Sequence, residues 1–125
     1  MKKYKTKKYK KIICFDIDNV ICLTKGSNYK NAKPIVKNIN LINLLYENNF
    51  YIKIFTARYM GRYNEDKFKV KKFANLTRFF LKKKCKLKYH ELIMGKPTYD
   101  LFVDDKCFGF KKSWANSLKK TYLIN

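Results

Sequence analysis

Acidic residues are scarce in this chain: nine Asp and Glu stand against thirty Lys and Arg, a formal net charge of +21. Arginine is scarcer still, at Arg58, Arg62 and Arg78, so nearly all the positive charge is lysine. Glycine (4) and proline (2) are few and isolated, which excludes a linker and suits one compact unit. No stretch approaches the roughly 18–20 uncharged apolar residues that a membrane span requires. The basic start, Met1 to Lys11, is not followed by a clean apolar core and a small-residue cleavage site. Its hydrophobic run stops at Asp16, so it reads as the beginning of a strand and not as a signal peptide, and the expected location is cytoplasmic. Cys14, Cys22, Cys85 and Cys107 are scattered, with no C-x-x-C pair. A zinc site or disulfide framework would need closer or more regular spacing, so the expectation is free, partly buried thiols.

What is present points to a folded protein. At 125 residues, 46% hydrophobic and 17% aromatic, the chain can bury a core and is not disordered despite its charge. The expectation is a single domain over residues 1–125, with 1–10 a basic N-terminal extension and 107–125 a variable lysine-rich tail. A field of this size attracts polyanions, nucleic acid and anionic membrane surfaces among them. A blander cause competes: Lys, Asn, Ile, Tyr and Phe dominate, as in any protein encoded by an AT-rich genome. The shortage of Arg, the side chain suited to bidentate phosphate recognition, weighs for the blander cause.

Residues 9–17 end in a β-branched and aromatic run and read as a buried strand. Residues 18–33 are polar and read as a loop. Pro34 sits where a first helical position tolerates it, and Ile35, Ile39, Ile42 and Tyr46 continue at helical spacing to about Asn49. A second strand is expected over Tyr51 to Ala57. After a loop carrying Gly61, a longer helix covers Glu65 to Lys84, with Phe73, Leu76 and Phe80 on its apolar face. Glu91 to Met94 and Leu101 to Val103 read as two short strands, and Trp114 to Lys120 as a closing helix. Strands alternating with helices imply a mostly parallel sheet whose C-terminal edge is the ligand side.

Four of the nine acids fall in two tight pairs directly after apolar runs: Asp16 and Asp18 after Ile12 to Phe15, Asp104 and Asp105 after Leu101 to Val103. If those strands are neighbours, four carboxylates crowd one sheet edge, which is costly unless compensated. A hard cation with oxygen ligands relieves the crowding, and Mg²⁺ is the usual choice when phosphate is a further ligand. Helix capping or pairing with lysines would explain one such pair more readily than two. Thr56, ending the second strand in IFTAR, could hold a phosphoryl oxygen with its hydroxyl and nearby N–H groups. Lys96, in GKP, could neutralise the same group.

With these pieces in order, the chain resembles the haloacid-dehalogenase-like (HAD-like) phosphatase superfamily from about Ile12 to Lys106. The motifs are IICFDIDNV, IKIFTAR, Lys96 and LFVDDK. The segments NAKPI, IFTARYMG, KYHELIMGKP and DLFVDDK are similar to short phosphatases of capsule and other polysaccharide biosynthesis. Asn19 and Val20 stand where Gly and Thr are frequent in that family; Asn adopts unusual backbone angles more readily than most residues. The resemblance implies a three-layer, Rossmann-like α/β fold that is essentially capless, with a short flap between Asp18 and Pro34. It implies that Asp16 attacks phosphorus to give an aspartyl-phosphate, while Asp18 protonates the leaving oxygen and then activates water. It implies Mg²⁺ on Asp16, the Asp18 backbone carbonyl and Asp104, with Asp105 assisting, and Thr56 and Lys96 on the non-transferring oxygens. Arg58, just past the second motif, is read as a substrate contact or a surface arginine. His90 is read as structural.

Three functions follow from these readings. The first is a phosphatase acting on a sugar phosphate in polysaccharide or glycoconjugate synthesis. The second is a phosphatase on nucleotides or nucleic-acid ends, favoured by the charge and an open site. The third is a non-catalytic, basic nucleic-acid-binding protein on the same scaffold, against which the complete motif set argues. An open site also admits cover from a second copy, as a homo-oligomer.

Overall fold

The computed structural model describes residues 8–60 and 67–123. The first residues of the basic extension, the loop at Gly61 and the expected helix start at Glu65 lie outside them. The chain forms an α/β structure around a three-stranded parallel sheet. Its strands are β1 (Ile12–Phe15), β4 (Tyr51–Thr56) and β5 (Glu91–Met94), in the spatial order β1-β4-β5. A two-stranded antiparallel ribbon, β2 (Cys22–Leu23) with β3 (Lys33–Pro34), stands beside it. The helices are α1 (Val36–Glu47), α2 (Lys67–Phe79) and α3 (Trp114–Tyr122). No helix among the described residues is long and apolar enough to cross a membrane.

β4 is the central strand and the most buried, with Tyr51, Ile52, Ile54 and Thr56 shielded from solvent. Burial on both faces explains its near-continuous apolar sequence. Ile39, Ile42 and Leu45 of α1 join Ile52, Ile54, Leu81 and Trp114 in one core cluster. Ile21 and Cys22 bring the ribbon into the same cluster. His90 is part of the scaffold: its ring stacks between Tyr46 and Tyr51, and its Nδ1 accepts the Ile52 backbone N–H at 2.9 Å.

Three expectations need correction. Pro34 does not open the helix; it pairs with Cys22 in β3, and α1 begins two residues later. A proline at the edge of a two-residue ribbon sacrifices no ladder donor, so this pairing is as permissive as a first helical position. Leu76 does not belong to the buried face of α2, being 46% exposed; Ala74, Thr77, Phe80 and Leu81 point inward. The helix ends in a wide turn, Phe80–Lys84, closed by the Cys85 N–H on the Phe80 carbonyl five residues back, which turns two successive large side chains inward. Leu101–Val103 forms no strand. Leu101 is 79% and Val103 84% exposed, and every residue from 97 to 113 is exposed. A three-residue run is too short to hold an extended shape without a paired neighbour, and Asp104 ends it in a turn. That aspartate accepts the Lys106 N–H on its side chain (3.0 Å) and the Cys107 N–H on its carbonyl (3.3 Å).

Candidate active site

Parallel strands carry their C-terminal ends to one edge, and the register fixes what meets there. Phe15 lies beside Ile54 and Thr56 beside Met94. Asp16 therefore leaves β1 next to the end of β4. The Lys96 N–H donates to the Thr56 carbonyl at 3.1 Å, which extends the β4–β5 ladder by a step and holds Lys96 at the same edge. Gly95 precedes it at φ +98°, a conformation that glycine adopts without strain. The Asp16 carboxylate accepts the Ile17 N–H on Oδ1 (2.7 Å) and the Lys96 ammonium on Oδ2 (3.1 Å).

Asp18 is set by a tight turn. The Ile17 carbonyl accepts the N–H groups of Val20, Ile21 and Cys22, and Asn19 takes φ +66°. Asparagine tolerates that left-handed angle better than most residues, which accounts for its use here. The buried Asn38 of α1 donates to the Val20 carbonyl at 2.9 Å and ties the turn to the helix. The Asp18 carboxylate then meets Arg58, whose Nη2 lies 2.8 Å from Oδ1, and it also accepts the Thr24 hydroxyl at 2.6 Å. Thr56 is fully buried; its hydroxyl oxygen accepts the Arg58 N–H at 3.1 Å and keeps a proton to donate.

Two ion pairs thus sit side by side at the sheet edge, Asp16 with Lys96 and Asp18 with Arg58. They supply part of the charge compensation that the sequence assigns to a cation. Lys96 is 9% exposed, and the Phe55, Tyr99 and Phe102 rings surround its ammonium at 5.4–5.9 Å. Burial works against its charge, but the Tyr99 hydroxyl and the Asp16 carboxylate outweigh that, so Lys96 is held above the usual lysine value. For Arg58, burial likewise opposes the charge, and Asp18 more than restores it.

The structure brings Asp16, Asp18, Thr56, Arg58 and Lys96 together and leaves Asp104 and Asp105 apart from them, in the exposed 97–113 segment. The Lys106 backbone N–H, with Asp105 second, holds the Asp104 carboxyl below the usual carboxylate range. Among the described residues no group of three or more His, Cys, Asp and Glu is gathered to hold a metal ion. Thr24, Tyr29, Tyr99 and Phe102 were not singled out by sequence. The nearest signal is that Tyr99 follows Lys96 by three positions and Thr24 follows Asp18 by six, which marks proximity along the chain and nothing more.

No family model matches the chain, and no curated protein does. Among solved structures, a structural-genomics target from Vibrio cholerae is similar, with a TM-score of 0.69 and 22% sequence identity over 89% of this chain and 98% of that one. At that identity the likeness concerns the fold alone.

Proposed function

We propose that this chain is a Mg²⁺-dependent phosphomonoester hydrolase of the HAD-like type, with a Rossmann-like scaffold and residues 18–34 as a short flap in place of a cap. The observation that carries the reading is the half-exposed Asp16 carboxylate at the end of a parallel strand, 3.1 Å from a Lys96 ammonium that is itself held charged. An anionic phosphoryl group entering there meets a fixed cation and a carboxylate nucleophile at one point.

Asp16 attacks phosphorus through its carboxylate, and the phosphoryl group passes from the substrate oxygen to Asp16. Asp18 protonates the departing alcohol and then takes a proton from the water that cleaves the aspartyl-phosphate. Lys96 holds a non-transferring oxygen, and the Thr56 hydroxyl, shielded from solvent in this structure, would reach another only once the bound group opens the strand end. The oxygen donors fit a hard cation that keeps several waters and uses few protein carboxylates. Asp16 and the Asp18 backbone carbonyl would hold Mg²⁺, with Asp104 and Asp105 contributing if their segment comes in. When bound, the ion offsets the negative charge that accumulates on the phosphoryl oxygens.

The substrate class favoured is a sugar phosphate of polysaccharide or glycoconjugate synthesis, after the motif wording. The +21 charge supports a second reading, a phosphatase on nucleotides or nucleic-acid ends. Phosphate release in Mg²⁺ and in EDTA, over sugar phosphates, nucleotides and 3′- or 5′-phosphorylated oligonucleotides, separates the two. Release in Mg²⁺ alone, from sugar phosphates, is expected. No release from any of them would count against phosphatase chemistry.

A further inference from the structure

Arg58 is 2% exposed, although it follows the site strand directly and carries a full charge. Two of its three nitrogens, Nε and Nη2, are taken by Asp18 and Cys22. Nε lies 3.1 Å from both Asp18 oxygens, and Nη2 lies 2.8 Å from Oδ1 and 3.3 Å from the Cys22 sulfur. The Tyr29 ring covers one approach at 4.7 Å and the Phe80 ring another at 4.5 Å. These partners come from separate pieces of the fold. Tyr29, Cys22 and Thr24 belong to the flap, and Phe80 belongs to the wide turn that ends the long helix. The next residue, Tyr59, has φ +68°, a costly angle for a bulky side chain, with its ring against Phe73 (4.0 Å) and Tyr29 (4.8 Å).

We propose that Arg58 is a positioning residue: a buried guanidinium clamp that fixes the direction of the Asp18 carboxylate and fastens the flap over it, with no hydrogen bond to substrate. A planar fork meeting a carboxylate through two nitrogens fixes orientation as well as distance, which a lysine ammonium cannot do. The Thr24 hydroxyl, on the same oxygen of Asp18, completes the hold. The catalytic consequence rests on the phosphatase reading above; the clamp itself rests on the geometry alone.

The test uses the full chain, p-nitrophenyl phosphate with Mg²⁺, and the variants Arg58→Lys, Arg58→Ala and Asp18→Asn. Misaiming a catalytic group by about an ångström costs on the order of a hundredfold, so Arg58→Lys should lose about that much kcat. KM should stay within about threefold, because no substrate contact is removed. Guanidinium added to Arg58→Ala should restore part of kcat. A rise in KM at unchanged kcat would make Arg58 a substrate ligand and overturn the clamp. A loss of kcat that tracks the fall in Tm and resists guanidinium would reduce Arg58 to a structural residue.

A second readout is independent of turnover. With three arginines in the chain, the ¹⁵Nε–H spectrum is simple, and the Arg58 signal, identified by its loss in Arg58→Lys, should exchange slowly and lose that protection in Asp18→Asn. A fast-exchanging signal, or one indifferent to Asp18→Asn, overturns the clamp. Wild-type protein that releases no phosphate contradicts the phosphatase reading instead, and the spectrum then decides the clamp alone.

Discussion

Asp16 and Asp104 each follow a short apolar run, yet the two runs have opposite fates. Ile12–Phe15 pairs residue for residue with β4 and delivers Asp16 to Lys96. Leu101–Val103 belongs to no strand, and the contacts of Asp104 are local, to Lys106 and Cys107. The difference shows what positions the site. Sheet register and two ion pairs set Asp16, Asp18, Thr56, Arg58 and Lys96, whereas the second acid pair lies in an exposed segment that joins no strand. If the second pair completes the metal site proposed above, a ligand must recruit it.

The largest effect expected from breaking this contrast is chemical. Asp16→Asn should lower phosphate release on the order of a thousandfold or more while Tm moves little, because the substitution keeps size and shape. Near-full activity would remove Asp16 as nucleophile. Stability should split along the same line. Ile54→Ala, in the buried central strand, should cost about 3 kcal/mol in urea unfolding. Leu101→Ala should stay within about 0.5 kcal/mol, and an equal cost would mean that the 97–113 segment packs in solution.

Recruitment can be sharpened next. Mg²⁺ with phosphate should slow hydrogen exchange at the amides of residues 101–105 by roughly tenfold, equivalent to about 1.4 kcal/mol. Asp104→Asn should cancel that slowing and leave the β4 amides unchanged. Exchange indifferent to Mg²⁺ would exclude the second pair from the ion.

The smallest effect separates two thiols. Burial pushes the Cys85 thiol up to about 12 from its ordinary 9.0, whereas Cys107 is exposed. At pH 8 a thiol reagent should label Cys107 readily and Cys85 only on unfolding. Because the folded value is raised, this contribution to stability is complete below pH 9.0 and is lost as pH rises towards about 12. Stability that is flat across that window would contradict a buried, neutral Cys85.

Much of the sheet was legible because β4 and Glu91–Met94 carry short, mostly apolar runs with β-branched or aromatic members, and Trp114 begins its helix where expected. The order of the motifs also placed Asp16, Thr56 and Lys96 at one edge once parallel strands were assumed. Leu101–Val103 was misread because an apolar triplet looks the same paired or unpaired; pairing is a long-range property. Leu76 was misread because positions 73, 76 and 80 fit a helical stripe nearly as well as 74, 77 and 81, and only tertiary contacts fix the phase. The Arg58–Asp18 pair joins residues 40 apart along the chain, and nothing local announces it.

The most direct measurement is to trap the covalent intermediate. The full chain is turned over with p-nitrophenyl phosphate and Mg²⁺, quenched in acid and reduced with borohydride, which converts an aspartyl-phosphate to homoserine, and its peptides are read by mass spectrometry. Homoserine at position 16, absent in EDTA and without substrate, is the predicted result. Phosphate release with no modified Asp16, or with the label on another residue, would contradict the assignment of Asp16 as the nucleophile.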